Sequence, residues 1–357
     1  MRNILYFCIK RNITIGIDME RSISQIINEI ASFPTSKQES IIFSLNRMLQ
    51  SDVKNEATIM EVRKNIQQNS PTSCPHCNSE TIVGYGRYRD RNRYKCKSCG
   101  KTFNDLTGTS VSHIHKISEW QDYISCIADG LSLRASAARV GISLRTSFLW
   151  RHKILGSFQE VGCTKLEGIV ESDETFFLYS EKGQKAIKDR EPRKRGGKAS
   201  KAGINKEHVA VIVASDRNKH SIIEVVGRSR ITAEKINTAI GKWTLGSAVA
   251  LCSDSHRSYE KFAKDNGIKH IAINASKGQY VKDKVYHIQN VNNSHHLLKK
   301  WMAKFNGVAT KHLQNYMNWF RIERENLAND TIYLKFALTS NSSYVACNNI
   351  HTQYIKT

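Results

Sequence analysis

The sequence predicts an α/β protein whose C-terminal half forms one mixed domain, preceded by helical segments and a small cysteine-rich module. From Leu166 onward, strand-like apolar runs alternate with helical stretches, which is typical of an α/β domain. Ahead of it, residues 19–68 and 115–155 repeat apolar side chains at helical spacing, and two CxxC pairs lie between these segments. The predicted order is therefore helices, cysteine module, helices and α/β domain.

The chain is strongly basic. Its 357 residues include 54 Lys and Arg against 32 Asp and Glu, a formal net charge of +22. Such a surplus predicts binding to a polyanion, because each phosphate contact releases condensed counterions. No apolar run reaches the roughly 18 residues of a membrane span, and the N-terminus lacks a secretory cleavage pattern. Of the nine cysteines, four lie in two CxxC pairs and the other five are scattered. An odd count without regular spacing argues against a disulfide framework, so we expect a cytoplasmic protein with no membrane partner.

Four of the cysteines form two pairs with the spacing of metal ligands. Cys74 with Cys77, and Cys96 with Cys99, are each CxxC, and 18 residues separate the pairs. Two such turns place four thiolates tetrahedrally around one Zn²⁺, which is the arrangement of a zinc ribbon. A redox-active CxxC is the alternative. Four alternate arginines between the pairs are predicted to share one face of a strand.

Residues 131–155 have the layout of a helix-turn-helix. Small apolar residues supply the inner face of the first helix, Gly141 allows a tight turn, and Ser143 is suited to cap the second helix. An ordinary helical hairpin is the alternative.

The second helix of this motif carries the candidate DNA contacts, which are Ser143, Arg145, Thr146, Arg151 and Lys153. Arg145 and Thr146 lie early in the helix, where contacts to base edges are usual. Arg151 and Lys153 are predicted to touch phosphate.

Two acidic residues interrupt or directly follow apolar strands of the α/β domain. Asp173 lies inside the run GIVESDETFFL, where an unpaired carboxylate would cost several kcal/mol, and Asp254 follows the run SAVALCS. The order strand, strand, strand, helix, strand is that of an RNase H-like domain. That fold brings the two carboxylates together to hold two Mg²⁺ ions about 3.5–4 Å apart for in-line phosphoryl transfer. A capping or salt-bridged carboxylate is the alternative for each residue.

A third metal ligand is expected on a later helix. Asn292 and Lys299 are seven residues apart, with two histidines between them, so helical spacing puts them on one face. The carbonyl oxygen of Asn292 would be a hard metal ligand, and Lys299 would contact the DNA backbone. This segment contains no Glu, and the nearest ones, Glu323 and Glu325, are second choices.

These motifs resemble those of the bacterial insertion-sequence transposases of the ISXO2-like (IS1595) group. The resemblance covers about Ser73 to Arg324 and is carried by VESDETFF, LCSDSHRSY and HIQNVNNSHHLLKKWMAKFNGVATKHLQNYMNW. It implies an N-terminal zinc ribbon and helix-turn-helix, and an Asp-Asp-Asn or Asp-Asp-Glu triad followed by Lys. The subgroup with Asn in third place fits, and the matching residues are Asp173, Asp254, Asn292 and Lys299.

The resemblance implies a DNA transposase. The chain would bind the terminal inverted repeats of an insertion sequence and catalyse DNA cleavage and strand transfer. Zn²⁺ would be structural and Mg²⁺ or Mn²⁺ catalytic. Its partners would be double-stranded DNA of the element ends and of the target, and a second copy of the chain when two ends are synapsed. The alternatives are a DNA-binding regulator built from the zinc ribbon and helix-turn-helix, and an RNase H-like nuclease without joining activity.

The predicted boundaries follow these changes of pattern. They delimit a non-native or disordered extension (1–18, with the natural start at Met19), a helical N-terminal segment (19–68), the zinc ribbon (69–108), the helix-turn-helix (109–160), the RNase H-like catalytic domain (164–328) and a tail (329–357). A basic insertion (184–206) inside the catalytic domain has nine Lys and Arg against two acids. It fits a mobile basic loop and a solvated charged segment equally well.

Overall fold

The computed structural model describes residues 31–33, 38, 56–66, 71–88, 91–158, 165–184, 187, 190–192, 196–325 and 337. The chain divides into two compact units after Asn55, and the account below concerns the unit Glu56–Thr357. The predictions for 1–18, and for most of 19–55 and 329–357, lie outside the described residues. Among the helices that the structure describes, none is both long and apolar enough to cross a membrane.

The cysteine module is a three-stranded antiparallel sheet that follows helix α1 (Glu56–Ile66). Strand β1 (Ile82–Tyr88) pairs with β2 (Arg91–Cys96), which pairs with β3 (Thr102–Asn104). The arginine-rich segment therefore turns back on itself, and the prediction that its arginines share one strand face is wrong. Alternating Arg and Tyr continues on both sides of the turn, so strand periodicity alone does not reveal where the chain reverses.

Three short helices follow the module: α2 (Trp120–Ala128), α3 (Leu133–Val140) and α4 (Leu144–Ser157). The side chain of Ser132 accepts from the backbone N–H of Ala135 and caps α3. Ser143 caps α4 in the same way, as its sequence position predicts, by accepting from Thr146 at 3.0 Å. Gly141 joins the two helices with φ of 73°, a left-handed conformation that favours glycine.

The α/β domain is built on one five-stranded sheet. Its strands are β4 (Gly168–Leu178), β5 (His208–Ser215), β6 (Ser221–Arg228), β7 (Ala248–Ser253) and β8 (Lys269–Ala272). The spatial order is β6-β5-β4-β7-β8. The first three strands along the chain are antiparallel neighbours, whereas β7 runs parallel to β4 and β8 runs parallel to β7. This order and direction are those of an RNase H-like domain, and the predicted fold class is confirmed.

Helices cover both faces of this sheet. They are α5, in which a π-helical segment (Asn237–Gly241) joins Ala233–Ile236 to Lys242–Thr244, then α6 (Arg257–Asp265), α7 (Gln289–Ala303) and α8 (Leu313–Arg324). Alternate residues of β5 contribute to two different cores, as expected of a strand buried on both faces. Val211 and Val213 share one core with α7 and α8, and Ala210 and Ile212 share the other with α5 and α6.

Helix α4 packs against α8, and this contact buries Arg151. The Arg151 guanidinium donates to the carbonyl of Leu131 at 2.8 Å and to the hydroxyl of Ser136 at 3.0 Å. It also lies over the Trp319 ring, 5.3 Å from the centroid, and the side chain is 1% exposed. The prediction that Arg151 touches phosphate is therefore wrong, because its charge stabilises the contact between two parts of the protein.

The same contact contains a stacked pair of imidazoles, His152 and His312. Their ring centroids are 3.9 Å apart with planes at 23°, and the edges of Phe148 and Tyr316 meet the His152 ring. The side-chain amide of Asn315 lies 3.2 Å from Nδ1 of His152. Burial, and after it the neighbouring His312, lower the pKa of His152 well below its usual value of 6.5, so the folded protein holds this ring neutral.

Acidification is expected to loosen this contact. The unfolded chain takes up a proton on His152 below about pH 6.5 and the folded chain does not, so stability present above that pH is lost as pH falls. Between roughly pH 6 and pH 5, the free energy of unfolding should fall up to about 1.4 kcal/mol per pH unit more steeply in wild type than in His152→Gln. His115→Gln, at an exposed position, should keep the wild-type slope. Equal slopes in all three proteins, measured by urea unfolding, would contradict the prediction.

Candidate active site

The sheet brings the two predicted aspartates to the same level. Asp173 lies on the central strand β4, and Asp254 directly follows β7, the parallel neighbour of β4. Glu171 pairs with Cys252 in this ladder, so continuing the register by two residues puts Asp173 level with Asp254. The two carboxylates therefore meet at one end of the β4–β7 pair, although they are far apart in sequence.

The surroundings of these acids disfavour their charged forms as long as no metal ion is bound. Burial, and after it the nearby carboxylates of Glu174 and Asp254, raise the pKa of Asp173 to about 7. Burial and Asp254 also raise the pKa of Glu174 to about 7. Its Oε2 is buried with no hydrogen-bond partner among the described residues. The positive charge of Lys299 lowers the pKa of Asp173, but it offsets the effects of burial and of the neighbouring acids only in part. Half-buried acids whose charges are incompletely compensated fit a divalent cation.

Helix α7 presents one face to Asp173. Nδ1 of His295, on this helix, lies 3.8 Å from Oδ2 of Asp173. Asn292 and Lys299 lie three residues before and four residues after His295, so they share its side of the helix, and both are exposed. The face that helical spacing singled out is thus turned toward the strand that carries the first aspartate.

His295 itself was not predicted as a site residue. It is buried, and its Nε2 has no hydrogen-bond partner among the described residues. Burial, followed by the charge of Lys299, lowers its pKa to about 4, so the imidazole is neutral at physiological pH. The available signal was its position three residues after Asn292, which places both on one helix face.

The two acids kept as second choices for the third ligand are engaged elsewhere. Glu323 accepts from Nε1 of Trp301 at 2.6 Å, and Oε1 of Glu325 lies 3.5 Å from the hydroxyl of Ser221. Both belong to the end of α8, and these contacts leave the α7 face as the candidate source of a third ligand.

The four predicted zinc ligands converge. Sγ of Cys74 lies 3.7 Å from that of Cys99, Sγ of Cys77 lies 3.6 Å from that of Cys96, and all four fall within 4.8 Å of one another. Tetrahedral thiolates at Zn–S distances of about 2.3 Å would be about 3.8 Å apart, close to these values. Backbone N–H groups also point at the sulfurs, for example that of His76 at Cys74, 3.4 Å away. The cluster can hold one zinc ion.

The predicted DNA-contacting residues have different surroundings. Ser143 and Arg145 are exposed at the start of α4, and Thr146 is half-buried beside them. Lys153 is also half-buried, its ammonium donates to the carbonyl of Ser112 at 2.6 Å, and burial lowers its pKa. The prediction that Lys153 touches phosphate is therefore not supported. Like Arg151, it is held inward because helices pack over the last turns of α4, which local sequence does not reveal.

Comparison with known proteins agrees with this architecture. Residues 165–322 match the family profile described as the ISXO2-like transposase domain. Over this stretch the chain is similar to ISXO2-like transposase domains. A curated relative, an uncharacterized protein in transposable element ISH50 of Halobacterium salinarum, is 28% identical over 255 residues, which are 71% of this chain and 85% of the relative.

The chain also has distant similarity to solved structures. The HTLV-2 integrase catalytic core domain in complex with magnesium matches 45% of this chain and 86% of its own at 13% identity, with a TM-score of 0.26. A pre-cleavage Mos1 transpososome matches 62% and 79% at 8% identity, with a TM-score of 0.21. The Drosophila P element transposase strand transfer complex matches 61% and 60% at 13% identity, with a TM-score of 0.26.

Proposed function

We propose that the chain is a DNA transposase that binds the terminal inverted repeats of an insertion sequence and catalyses metal-dependent DNA cleavage and strand transfer. The observation that carries the proposal is the pair Asp173, on β4, and Asp254, which directly follows the neighbouring strand β7 at the same level of the sheet, within the stretch that matches the transposase family. A half-buried pair of acids with incomplete charge compensation is costly unless it binds a cation. The pair therefore favours an enzyme over a protein that only binds DNA.

Asp173, Asp254 and Asn292 would hold Mg²⁺ or Mn²⁺, as in the Asp-Asp-Asn subgroup. Bound there, the ions would activate a water molecule or a 3′-hydroxyl and stabilise the leaving oxygen. Carboxylate and amide oxygens are hard ligands that suit these ions. Asn292 would complete the set without adding negative charge, and Lys299 would hold the DNA backbone near the acids.

His295 would orient the first of these ligands. As a neutral imidazole beside Asp173, it can donate a hydrogen bond to the carboxylate without adding a positive charge that repels the metal. It would hold the carboxylate in one rotamer before DNA and metal arrive.

The segments upstream of the transposase domain would deliver it to the element ends. The ribbon, held by a structural zinc ion, would bind the element ends together with the helix-turn-helix. The exposed start of α4, with Ser143, Arg145 and Thr146, would enter the major groove as the second helix of that motif. The net charge of +22 supports binding to both element-end and target DNA. Two ends must be held together for joining, so at least two copies of the chain would assemble on the DNA.

A strand-transfer assay with labelled element-end DNA tests this function. With Mg²⁺, the full chain should cut the ends and join them to a target. An RNase H-like nuclease would give cut products only, and a regulator would bind the ends without cutting them. Mg²⁺ should be left out in the matched control, since a chelator would also remove zinc from the ribbon.

Arg145→Ala is expected to reduce discrimination between element-end and random DNA by about 1–3 kcal/mol, because an exposed arginine early in a recognition helix contacts base edges. Arg134→Ala is the matched control. It removes an exposed arginine from α3, the helix expected to cross the DNA backbone. It should weaken binding to both DNAs about equally. Fluorescence-anisotropy titrations in which Arg145→Ala leaves the ratio of the two affinities unchanged would contradict the base-contact assignment.

A further inference from the structure

We propose that Glu171 is a positioning residue, which seats helix α7 on β4 and thereby sets where Asn292 lies relative to Asp173. The inference rests on the proposed function, in which α7 supplies the third metal ligand. It begins from a buried carboxylate two residues before Asp173 that neither sequence motif nor spacing singled out.

Glu171 caps α7 from a different element of the fold. It is 1% exposed, and its Oε2 accepts from the backbone N–H groups of Asn290 at 2.9 Å and Val291 at 3.3 Å. Its Oε1 accepts from the side-chain amide of Asn290 at 2.7 Å. The first N–H groups of a helix have no partner within the helix, and Ile288, the N-cap residue, offers no side-chain acceptor. A carboxylate at this end is also favoured by the helix dipole.

The charge of Glu171 is compensated within the protein. Arg217, which follows β5, forms a salt bridge with Oε1, and Nδ1 of His287 lies 3.3 Å from the same oxygen. Arg217 also donates to the carbonyl of Val285 at 3.0 Å. One carboxylate therefore joins β4, the β5–β6 connection and the chain that leads into α7. Because protein donors occupy both oxygens, Glu171 is not itself available as a metal ligand.

The place of Glu171 on β4 connects this cap to the active site. Side chains two apart on a strand point to the same face, so Glu171 and Asp173 both face α7. Glu171 holds the first turn of the helix, and Asp173 meets His295 farther along it. Two contacts from one strand fix the axial position and the rotation of α7. Asn292 lies between these two contact points.

Glu171→Gln in the zinc-loaded full chain tests the proposal without turnover. Gln keeps the size of the side chain, but it loses the charge opposite Arg217 and turns an amide N–H₂ group toward donors. An electron paramagnetic resonance titration should show the affinity for Mn²⁺ falling by about 10- to 100-fold, the usual effect of removing a residue that orients a ligand. Amide hydrogen exchange at Asn290 and Val291, whose N–H groups donate to Glu171, should become faster, while affinity for element-end DNA stays at the wild-type value.

Asp216→Asn is the matched control for the loss of a buried carboxylate from the same sheet. Asp216 is 3% exposed and accepts from the backbone N–H groups of Asn218 at 2.9 Å and His220 at 3.0 Å. Its hydrogen bonds among the described residues do not involve α7. The variant should lower the Tm without lowering the affinity for Mn²⁺.

The outcomes separate this inference from the proposed function. If Asp173→Asn abolishes Mn²⁺ binding and Glu171→Gln binds as wild type does, the positioning role is overturned and the metal site stands. If Asp173→Asn also binds Mn²⁺ as wild type does, the proposed function fails first. Should Glu171→Gln not fold, Asn290→Ala removes one hydrogen bond to Glu171 at an exposed position. It should then weaken Mn²⁺ binding a few-fold, and wild-type affinity would overturn the inference.

Discussion

Asp173→Asn and Asp254→Asn are each expected to abolish DNA cleavage and joining while leaving the affinity for element-end DNA unchanged. Asn keeps the shape of the side chain and removes the charge that would hold a divalent ion. Losing that ion removes several kcal/mol of transition-state stabilisation, which corresponds to about a thousand-fold or more in rate. Binding should persist, since the proposed recognition surface lies on the ribbon and on α4. Single-turnover cleavage of labelled ends, beside an equilibrium titration of the same DNA, measures both quantities.

Graded variants make this result specific. Asn292→Ala should be less damaging than either aspartate variant, because it removes a neutral ligand and no charge. Asp265→Asn, on the exposed side of α6, should cleave and join as wild type does. Activity within about tenfold of wild type in either aspartate variant would overturn the assignment of these residues to the metal site.

We expect the Cys96→Ser variant to lose zinc and its ribbon to unfold, while the α/β domain remains folded. Zinc binding in small modules supplies much of their folding free energy, about 10–16 kcal/mol in zinc-finger peptides. The ribbon has little else, since its own core consists of Cys74, Cys96 and Phe103 with a few half-buried neighbours. That core is separate from the large core that runs from α2 to α8.

Two measurements check this prediction. Metal analysis should find about one zinc per wild-type chain and much less in Cys96→Ser. Limited proteolysis should then cut the variant within the ribbon and spare residues 165–325. Cys126→Ser, which alters a buried cysteine of α2 outside the cluster, should keep its zinc. Full zinc occupancy in Cys96→Ser would show that the cluster is not the site.

Features that depend on the spacing of nearby residues could be predicted from the sequence. The CxxC pairs fix which sulfurs can converge, and the strand order fixes the fold class. Ser143 has the residue type and position of a helix cap, and the structure shows it capping α4. Asp173 could be identified because a carboxylate inside an apolar strand is costly unless it is paired or binds a metal ion.

Features that depend on which surfaces are covered were not accessible. Arg151 has the type and position of a phosphate contact, but α8, more than 150 residues later, packs over it. Glu171 looked like an ordinary acid next to a more conspicuous one, because its partners Arg217 and Asn290 lie on other elements. Helical and strand periods identify faces, and only tertiary packing decides what each face meets.

The contact between α4 and α8 holds these two helices at a fixed distance from each other. Arg151 and His152 join these helices through a buried core and not through a tether. Under the proposed function, the bases contacted by α4 and the phosphate cut at the two aspartates would stand at one fixed separation. Duplex DNA turns once in about 10–10.5 base pairs, so shifting the read bases by about 5 base pairs would present the wrong side of the helix. The spacing within an element end would then be restricted as strictly as its sequence.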